Sequence, residues 1–375
     1  FGKTLGMSML AAFFDIHKNS DTLFEGLEIS KDTASCQKGM NQYPTLFLTF
    51  KDVDGLTFDD AYGQLAAQIA DLYKEHAYLL DCPIIDSDDK QIFLELKAGT
   101  AGKIHLSRSL VLLMRMMKTY YHKPVILLLD EYDVPLAKAS SHGYYTEMLS
   151  LIKTLLSTAL KDNPNLCFSV ITGCLKIAKE SIFTGLNNFK VYSITNMEFD
   201  ETFGFTDAEV REMLQYYELI DKYEEVKEWY DGYRFGNTEV YCPWDVVNYC
   251  SDHVKYPNAA PENYWMNTSG NNVMNRFIDS VQQPDMLTKA ELGWLVNGET
   301  VVKKIDETVT YDDLYSTMDH LWSTLFMTGY LTQKGKEVDG RYCLAIPNQE
   351  IKNIVTERIL TLFRNDVRKD GRAVL

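Results

Sequence analysis

Short apolar runs alternate with amphipathic segments along the first 200 residues of the chain. The runs have the length of buried strands, and the segments between them repeat apolar side chains at helical spacing. This alternation predicts a parallel sheet with helices on both faces. The predicted strands are 43–50, 125–130, 166–172 and a short last one at 190–194. The predicted helices are 4–14, one opened by Thr57 with Asp60 in a capping box, 107–121 and 144–160, with a helix-containing insertion at 81–100.

Spacing also predicts which side chains are buried. In the first helix Leu5, Met9, Leu10 and Phe13 fall near one side, so we expect them to face the core. Cys167 lies within the apolar run 166–172, so we expect it to pack as a small hydrophobic residue.

The pattern changes after residue 200. A second capping box, Thr206 with Glu209, predicts a helix, and the chain up to residue 300 is rich in Tyr, Trp, Asn and Asp. From residue 311 a helical pattern is followed by two short β segments around Gly335–Gly340, which would suit the wing of a winged helix.

Composition narrows the class of protein. The chain has 375 residues, a formal net charge of −16, 46% hydrophobic and 24% charged residues, which suits a soluble protein of two or three domains. The acidity argues against a broad nucleic-acid-binding surface. Seven scattered cysteines without a CxxC pair support neither a disulfide framework nor a zinc site, and indicate a cytoplasmic protein. No apolar stretch approaches the about 20 residues that cross a bilayer.

Gly2-Lys3-Thr4 at the start of the chain has the form of the last part of a phosphate-binding loop that leads into a helix. Lys3 would reach the phosphates and Thr4 would place its hydroxyl on Mg²⁺. The earlier glycine of such a loop and the strand before it would precede Phe1, so we expect an upstream segment to supply them, and the 375-residue chain alone to bind no measurable ATP. An ordinary helix start is the competing explanation.

Asp130-Glu131 ends the most apolar predicted strand, where ligands bind in open α/β sheets. Asp130 would hold Mg²⁺ through water, and Glu131 would polarise the attacking water. Thr172, at the end of the next strand, would sense the γ-phosphate. A solvated strand end is the competing explanation, although Asp133 makes this strand end more acidic than solvation requires. Pro135 is expected to stop regular structure after this acidic tip.

These strings resemble the bacterial and archaeal AAA-ATPase-like family, a relative of the STAND-type P-loop NTPases, with Walker A cut by the start of the chain and Walker B at Asp130-Glu131. The matching segments are Phe1-Gly2-Lys3-Thr4, 23–27, Tyr43-Pro44, Asp130-Glu131-Tyr132-Asp133-Val134-Pro135, Thr172-Gly173, 177–188, 203–206, 229–236 and 264–269. Two positions depart from the family pattern: Lys176 stands where an Arg is usual, and Cys174 where a small aliphatic residue is usual.

The resemblance implies a P-loop NTPase core at 1–200, a helical lid region at 201–300 and a winged-helix-like region with a C-terminal helix at 301–375. It implies ATP and Mg²⁺ as cofactors, Gly2, Lys3, Thr4, Thr172, Lys176 and Arg234 as nucleotide-binding residues, and Thr4 and Asp130 as metal ligands. Catalysis would use Glu131, Asp130 and Lys3. In full-length members a PD-(D/E)XK nuclease-like domain follows, with DNA as its partner, and a homo-oligomer remains open.

Three alternatives stay open at this point. The chain could be a hydrolysing ATPase that couples nucleotide state to domain position, or a non-hydrolysing switch that serves a C-terminal nuclease-like domain. Arg234 could contact phosphate or be a structural Arg in a tight turn. The aromatic residues Trp229, Tyr230, Tyr233 and Phe235 could form a packing core or a base-stacking platform, and a packing core is favoured.

Overall fold

The computed structural model describes residues 2–175, 189–265, 286–314, 316–335 and 338–359. The chain forms two compact units. The N-terminal unit comprises Lys3–Lys190 together with Thr310–Asp312, and the C-terminal unit comprises Val191–Val309 and Asp313–Leu375 together with Phe1–Gly2. The segment Thr310–Asp312 therefore belongs to the N-terminal unit, although the residues on both sides of it belong to the other unit.

The N-terminal unit is a mixed α/β fold built on a parallel sheet. Its elements are α1 Lys3–Phe14, α2 Glu28–Lys31, α3 Thr33–Gly39, β1 Thr45–Thr49, α4 Phe58–Glu75, a 3₁₀ helix Ala77–Asp81, α5 Ser87–Lys97, α6 Lys103–Ser107, α7 Ser109–Tyr121, β2 Val125–Asp130, α8 Val134–His142, α9 Tyr145–Leu160 and β3 Leu166–Ile171. The described strands are ordered β1-β2-β3, with all pairs parallel. The first three predicted strands and the main helices are confirmed, including the capping box of Thr57 and Asp60 on α4.

The central strand β2 is fully buried because both of its faces are covered. Helix α1 lies on one face, where Met7 and Ala11 pack against Ile126 and Leu128. The predicted inward face of α1 was therefore partly wrong. Phe13 is buried, but Leu5 is 65% exposed and Met9 is 45% exposed.

The third strand, β3, is less buried than its apolar sequence predicts. Cys167 and Phe168 are exposed, so the expectation that Cys167 packs as a core residue was wrong. The physical reason is position, since β3 is the last strand of the described sheet and pairs with β2 on one side only.

Two further local predictions were wrong. Residues 190–194, which the structure describes, contain no strand. Pro135 does not stop regular structure but lies in the first turn of α8. A proline is well tolerated there because the first N–H groups of a helix have no intrahelical partner.

The described residues of the C-terminal unit form helices and two small antiparallel sheets. Its elements are α10 Asp207–Tyr216, a 3₁₀ helix Ile220–Lys222, α11 Tyr223–Tyr230, β4 Tyr233–Phe235, β5 Thr238–Val240, α12 Pro243–Lys255, α13 Met286–Val296, β6 Val301–Lys304, α14 Met318–Met327, β7 Thr332–Gln333, β8 Arg341–Ala345 and a helical stretch at 349–359. The sheets are β4-β5 and β6-β8-β7. The capping box of Thr206 and Glu209 on α10 is confirmed.

The aromatic residues near position 230 are packing residues, as favoured from the sequence. Tyr230 is buried in one hydrophobic core, and Tyr233 in a second. Trp229 packs against the first core and Phe235 against the second. The predicted borders at residues 200 and 300 stay predictions. No helix among the described residues is long and apolar enough to cross a membrane.

Candidate active site

The candidate site forms where the three parallel strands of the N-terminal unit end. Backbone hydrogen bonds continue the sheet past the strands: the Phe50 amide donates to the Asp130 carbonyl at 3.0 Å, and the Thr172 amide donates to the Leu129 carbonyl at 2.9 Å. The Tyr132 amide then donates to the Thr172 carbonyl at 3.1 Å. The acid-bearing end of β2 is thus held between the ends of its neighbours, at the edge where open α/β sheets bind ligands.

Asp130 is the centre of the site and is only 1% exposed. The Thr4 hydroxyl donates to its Oδ2 at 2.8 Å, and the Thr172 hydroxyl donates to its Oδ1. Each carboxylate oxygen therefore accepts a hydrogen bond from a different element, the first turn of α1 and the end of β3. A buried carboxylate needs such partners, because burial without them is costly.

Glu131, the next residue, has a φ of +57°. This left-handed backbone conformation is uncommon for a residue other than glycine and is often found at functional sites. Burial raises the pKa of its carboxyl, and the nearby charges of Asp133 and Asp130 raise it further. The positive charges of Lys3 and Lys51 act in the opposite direction.

Helix α1 begins beside these acids. Gly2 precedes it with a φ of +66°, a conformation that glycine adopts readily, and Lys3 and Thr4 are its first two residues. The unpaired N–H groups and the dipole at a helix N-terminus favour an anion such as phosphate. The α1 start thus offers groups for an anion directly beside the carboxylates.

Asp133 extends the acidic end of β2 into a buried network. Its side chain is fully buried and accepts hydrogen bonds from the amides of Cys174 and Leu175 and from the Tyr311 hydroxyl. The sequence pointed to Asp133 as part of an acidic tip but gave no sign of Tyr311 or Lys51. Tyr311 is remote in the chain, and Lys51 is one charged residue among many.

The structure does not unite all predicted site residues. Thr4, Asp130 and Thr172 are joined by hydrogen bonds, and the positive charge of Lys3 lowers the pKa of Glu131. Arg234 lies on β4 of the C-terminal unit, where its amide donates to the Thr332 hydroxyl and its Nε donates to the Gly236 carbonyl at 3.3 Å. Its phosphate contact stays a prediction. Lys176, like the matching segment 177–188, lies outside the described residues.

The oxygen donors of the site suit a Mg²⁺ ion that protein and phosphate oxygens hold together, rather than a metal ion held by protein side chains alone. Thr4 and Asp130 offer oxygen atoms, which Mg²⁺ prefers, and Mg²⁺ is commonly bound by one or two carboxylates together with substrate phosphates. Within the described residues, no group of three or more His, Cys, Asp and Glu side chains is arranged to hold a metal ion. A metal at this site would therefore need phosphate oxygens to complete its coordination.

A mixed α/β unit with a three-stranded parallel sheet and this arrangement of side chains is compatible with a P-loop NTPase. The model of the AAA-ATPase-like family, described as predicted AAA-ATPase, matches residues 1–183. This match supports the resemblance to that family that the motifs of this segment carry.

Comparison with whole proteins adds a relative without a described activity. The uncharacterized protein in the vnfD 5' region of Azotobacter chroococcum mcd 1 is 24% identical, over 97% of this chain and 62% of the relative. The chain thus spans about three-fifths of the length of that relative. No solved structure matches the chain.

Proposed function

We propose that this chain is the ATP-binding, Mg²⁺-dependent ATP-hydrolysing module of an AAA-like protein. The observation that carries the proposal is the meeting of the Thr4 and Thr172 hydroxyls on the two oxygens of Asp130, beside Glu131. A phosphate-side helix, a metal-side carboxylate and a polar group of the next strand are the parts that nucleotide hydrolysis requires.

Each residue has a proposed task. The phosphates bind at Gly2, Lys3 and the N-terminus of α1. Lys3 balances the negative charge of the γ-phosphoryl group while that group is transferred. Glu131 accepts the proton of the attacking water, a task favoured by its raised pKa. Thr172 orients Asp130 and contacts the γ-phosphate. Thr4 and Asp130 would hold Mg²⁺, which when bound neutralises phosphate charge.

We also propose that the C-terminal half of the chain responds to the nucleotide. A lid at 201–300 and a winged helix at 301–375 would change position with the state of the bound nucleotide. Helix α14 followed by the antiparallel strands β7 and β8 supports the winged helix. A nuclease-like domain beyond this chain, and DNA as its partner, rest on the family resemblance alone.

The test is Glu131→Gln in the protein at its full natural length. We expect the variant to bind ATP with parental affinity in calorimetry and to lose steady-state phosphate release by about 100-fold or more, the usual contribution of a general base. Glu147→Gln, the same change at an exposed position in the first turn of α9, is the matched control and should keep the parental rate.

Two results would decide against parts of the proposal. Parental turnover in Glu131→Gln would exclude Glu131 as the catalytic base. ATP binding without phosphate release in the unmodified full-length protein would instead favour the non-hydrolysing switch that serves a C-terminal domain.

A further inference from the structure

Asp133 is a fully buried carboxylate with an unusual set of partners. Its Oδ2 accepts three hydrogen bonds: from the Cys174 amide at 2.8 Å, the Leu175 amide at 2.9 Å and the Tyr311 hydroxyl at 2.7 Å. Donors from two separate parts of the chain therefore meet on a single oxygen atom. Hydrogen bonds to a charged acceptor are among the strongest in proteins.

The position of Asp133 makes these partners more informative. It precedes the first residue of α8, where an Asp side chain commonly caps the helix by accepting from its N–H groups. Here the side chain makes no capping hydrogen bond and turns instead to the residues that follow β3. The helix lacks this common stabilisation, and the side chain serves the loop Thr172–Leu175.

That loop, which we name the β3 loop (172–175), also packs closely on the end of β2. A Cβ atom at Gly173 would lie 2.6 Å from Tyr132 Cε1 and 2.7 Å from Asp133 Oδ1. The Tyr132 hydroxyl donates to the Leu175 carbonyl at 3.0 Å. The β3 loop begins with Thr172, whose hydroxyl bonds Asp130. The loop that positions a partner of Asp130 is thus itself held through Asp133.

Tyr311 reaches this network from 178 positions further along the chain. It is 9% exposed and belongs to Thr310–Asp312, the short segment that joins the N-terminal unit. The Ser140 hydroxyl of α8 donates to the Tyr311 carbonyl at 2.9 Å, which fixes the segment a second time. Tyr311 is therefore held by hydrogen bonds of both its backbone carbonyl and its side chain. The partners, Ser140 and Asp133, follow Asp130 and Glu131 in the chain.

We propose that Asp133 and Tyr311 are positioning residues that hold the β3 loop against the acid-bearing end of β2. Tyr311 acts through Asp133 and the β3 loop, and does not touch the reacting groups. The arrangement makes the geometry of Asp130 and Thr172 depend on a distant segment, so release of Thr310–Asp312 would slow hydrolysis. The effect on hydrolysis rests on the proposed function, whereas the holding of the loop does not.

The experiment compares Tyr311→Phe with Tyr73→Phe in the full-length protein. Each change removes one hydroxyl from a buried tyrosine that donates a hydrogen bond of 2.7 Å, but Tyr73 donates to the Ser109 carbonyl at the start of α7. Amide hydrogen exchange is measured over 172–175. We expect Tyr311→Phe to accelerate exchange of the Cys174 and Leu175 amides by about tenfold or more, because one hydrogen bond to a charged group contributes a free energy of that order. Tyr73→Phe should leave the exchange of these amides unchanged.

Steady-state kinetics supply the second readout. Tyr311→Phe should lower kcat by about tenfold and leave the KM for ATP within about twofold, because only the arrangement around the reacting phosphate is loosened. Tyr73→Phe should change neither constant.

Each outcome separates the two proposals. Unchanged exchange in Tyr311→Phe overturns the holding of the loop, whatever the activity. Faster exchange with unchanged kcat overturns the positioning role. Faster exchange in a protein whose parental form releases no phosphate supports the holding of the loop and rejects the proposed hydrolysis.

Discussion

The buried carboxyl of Asp245 should make the stability of the C-terminal unit depend on pH. It is 1% exposed in the first turn of α12 and lies near Cys242 and Glu350. Burial raises the pKa of its carboxyl from 3.8 to about 6, and the neighbouring side chains of Cys242 and Glu350 offset only part of the rise. Glu350 is itself 1% exposed and accepts the Trp265 amide at 2.7 Å. Two acidic side chains thus share a dry environment.

The sign of the pH effect follows from the raised pKa. The folded state favours the neutral form of Asp245, so its favourable contribution is complete below the unfolded pKa and is lost as the pH rises through the folded pKa. A rise from 3.8 to about 6 corresponds to about 3 kcal/mol. The C-terminal unit should therefore lose up to about 3 kcal/mol of stability between about pH 4 and about pH 7 as this coupled pair of acids loses a proton.

The perturbation is Asp245→Asn, which keeps the shape of the side chain and is neutral at every pH. We expect the variant to unfold at higher urea concentration than the parent at about pH 8 and at nearly the same concentration at about pH 4.5. Asp221→Asn, an exposed acid of the same unit, is the control and should follow the parental curve. Urea unfolding is followed by tryptophan fluorescence, because all five tryptophans of the chain lie in that unit.

A particular result would refute this reasoning. If the parent and Asp245→Asn lost stability in parallel across the whole pH range, Asp245 would not change its charge between the folded and unfolded states there. Lower stability of the variant at about pH 8 would mean that the ionised carboxylate is stabilising, so that the α12 N-terminus outweighs its burial.

Two further predictions concern the β3 loop. Gly173→Ala should destabilise the N-terminal unit by about 1–3 kcal/mol in urea unfolding, since its Cβ would meet Tyr132 at 2.6 Å. Gly63→Ala in α4, where the Cβ meets nothing within 4 Å, should instead stabilise it by about 1 kcal/mol, and equal effects of the two changes would contradict the close packing of the loop. Thr172→Val should leave ATP affinity within about twofold in calorimetry and lower phosphate release by about tenfold, because Asp130 loses one of its two hydroxyl partners; an unchanged rate would remove Thr172 from the site.

The arrangement around Asp130 was accessible from the sequence because it depends on chain order. Parallel strands place their carboxyl ends at one edge of a sheet, so an acidic strand end, a polar residue ending the next strand and a Lys-Thr helix start are expected to meet. Only residue types and element order enter that inference. The hydrogen bonds of Thr4 and Thr172 to Asp130 agree with it.

Burial was harder to predict from the sequence where an element carries more apolar side chains than its neighbours can cover. In α1 both sides carry apolar side chains, so spacing alone could not separate Leu5 and Met9, which are exposed, from Met7 and Ala11, which are buried. The same holds for Cys167, because an apolar run does not reveal whether its strand is paired on one side or on two.

Contacts between distant parts of the chain left no local pattern at all. Tyr311 looks like any other tyrosine in a polar segment, and nothing in its neighbourhood indicates that its hydroxyl completes the environment of Asp133. Long-range partners of this kind depend on the path of the whole chain. Periodicity and capping signals describe only a few neighbouring residues.

The return of Thr310–Asp312 to the N-terminal unit has a practical meaning for anyone dissecting the protein. A clone stopped near residue 190 would encode Asp130, Glu131 and Asp133, yet it would leave the carboxylate of Asp133 without its phenol partner. Inactivity of such a fragment would therefore say nothing about the activity of the whole chain. Expression boundaries are better drawn beyond residue 312, or Thr310–Asp312 grafted on through a short linker.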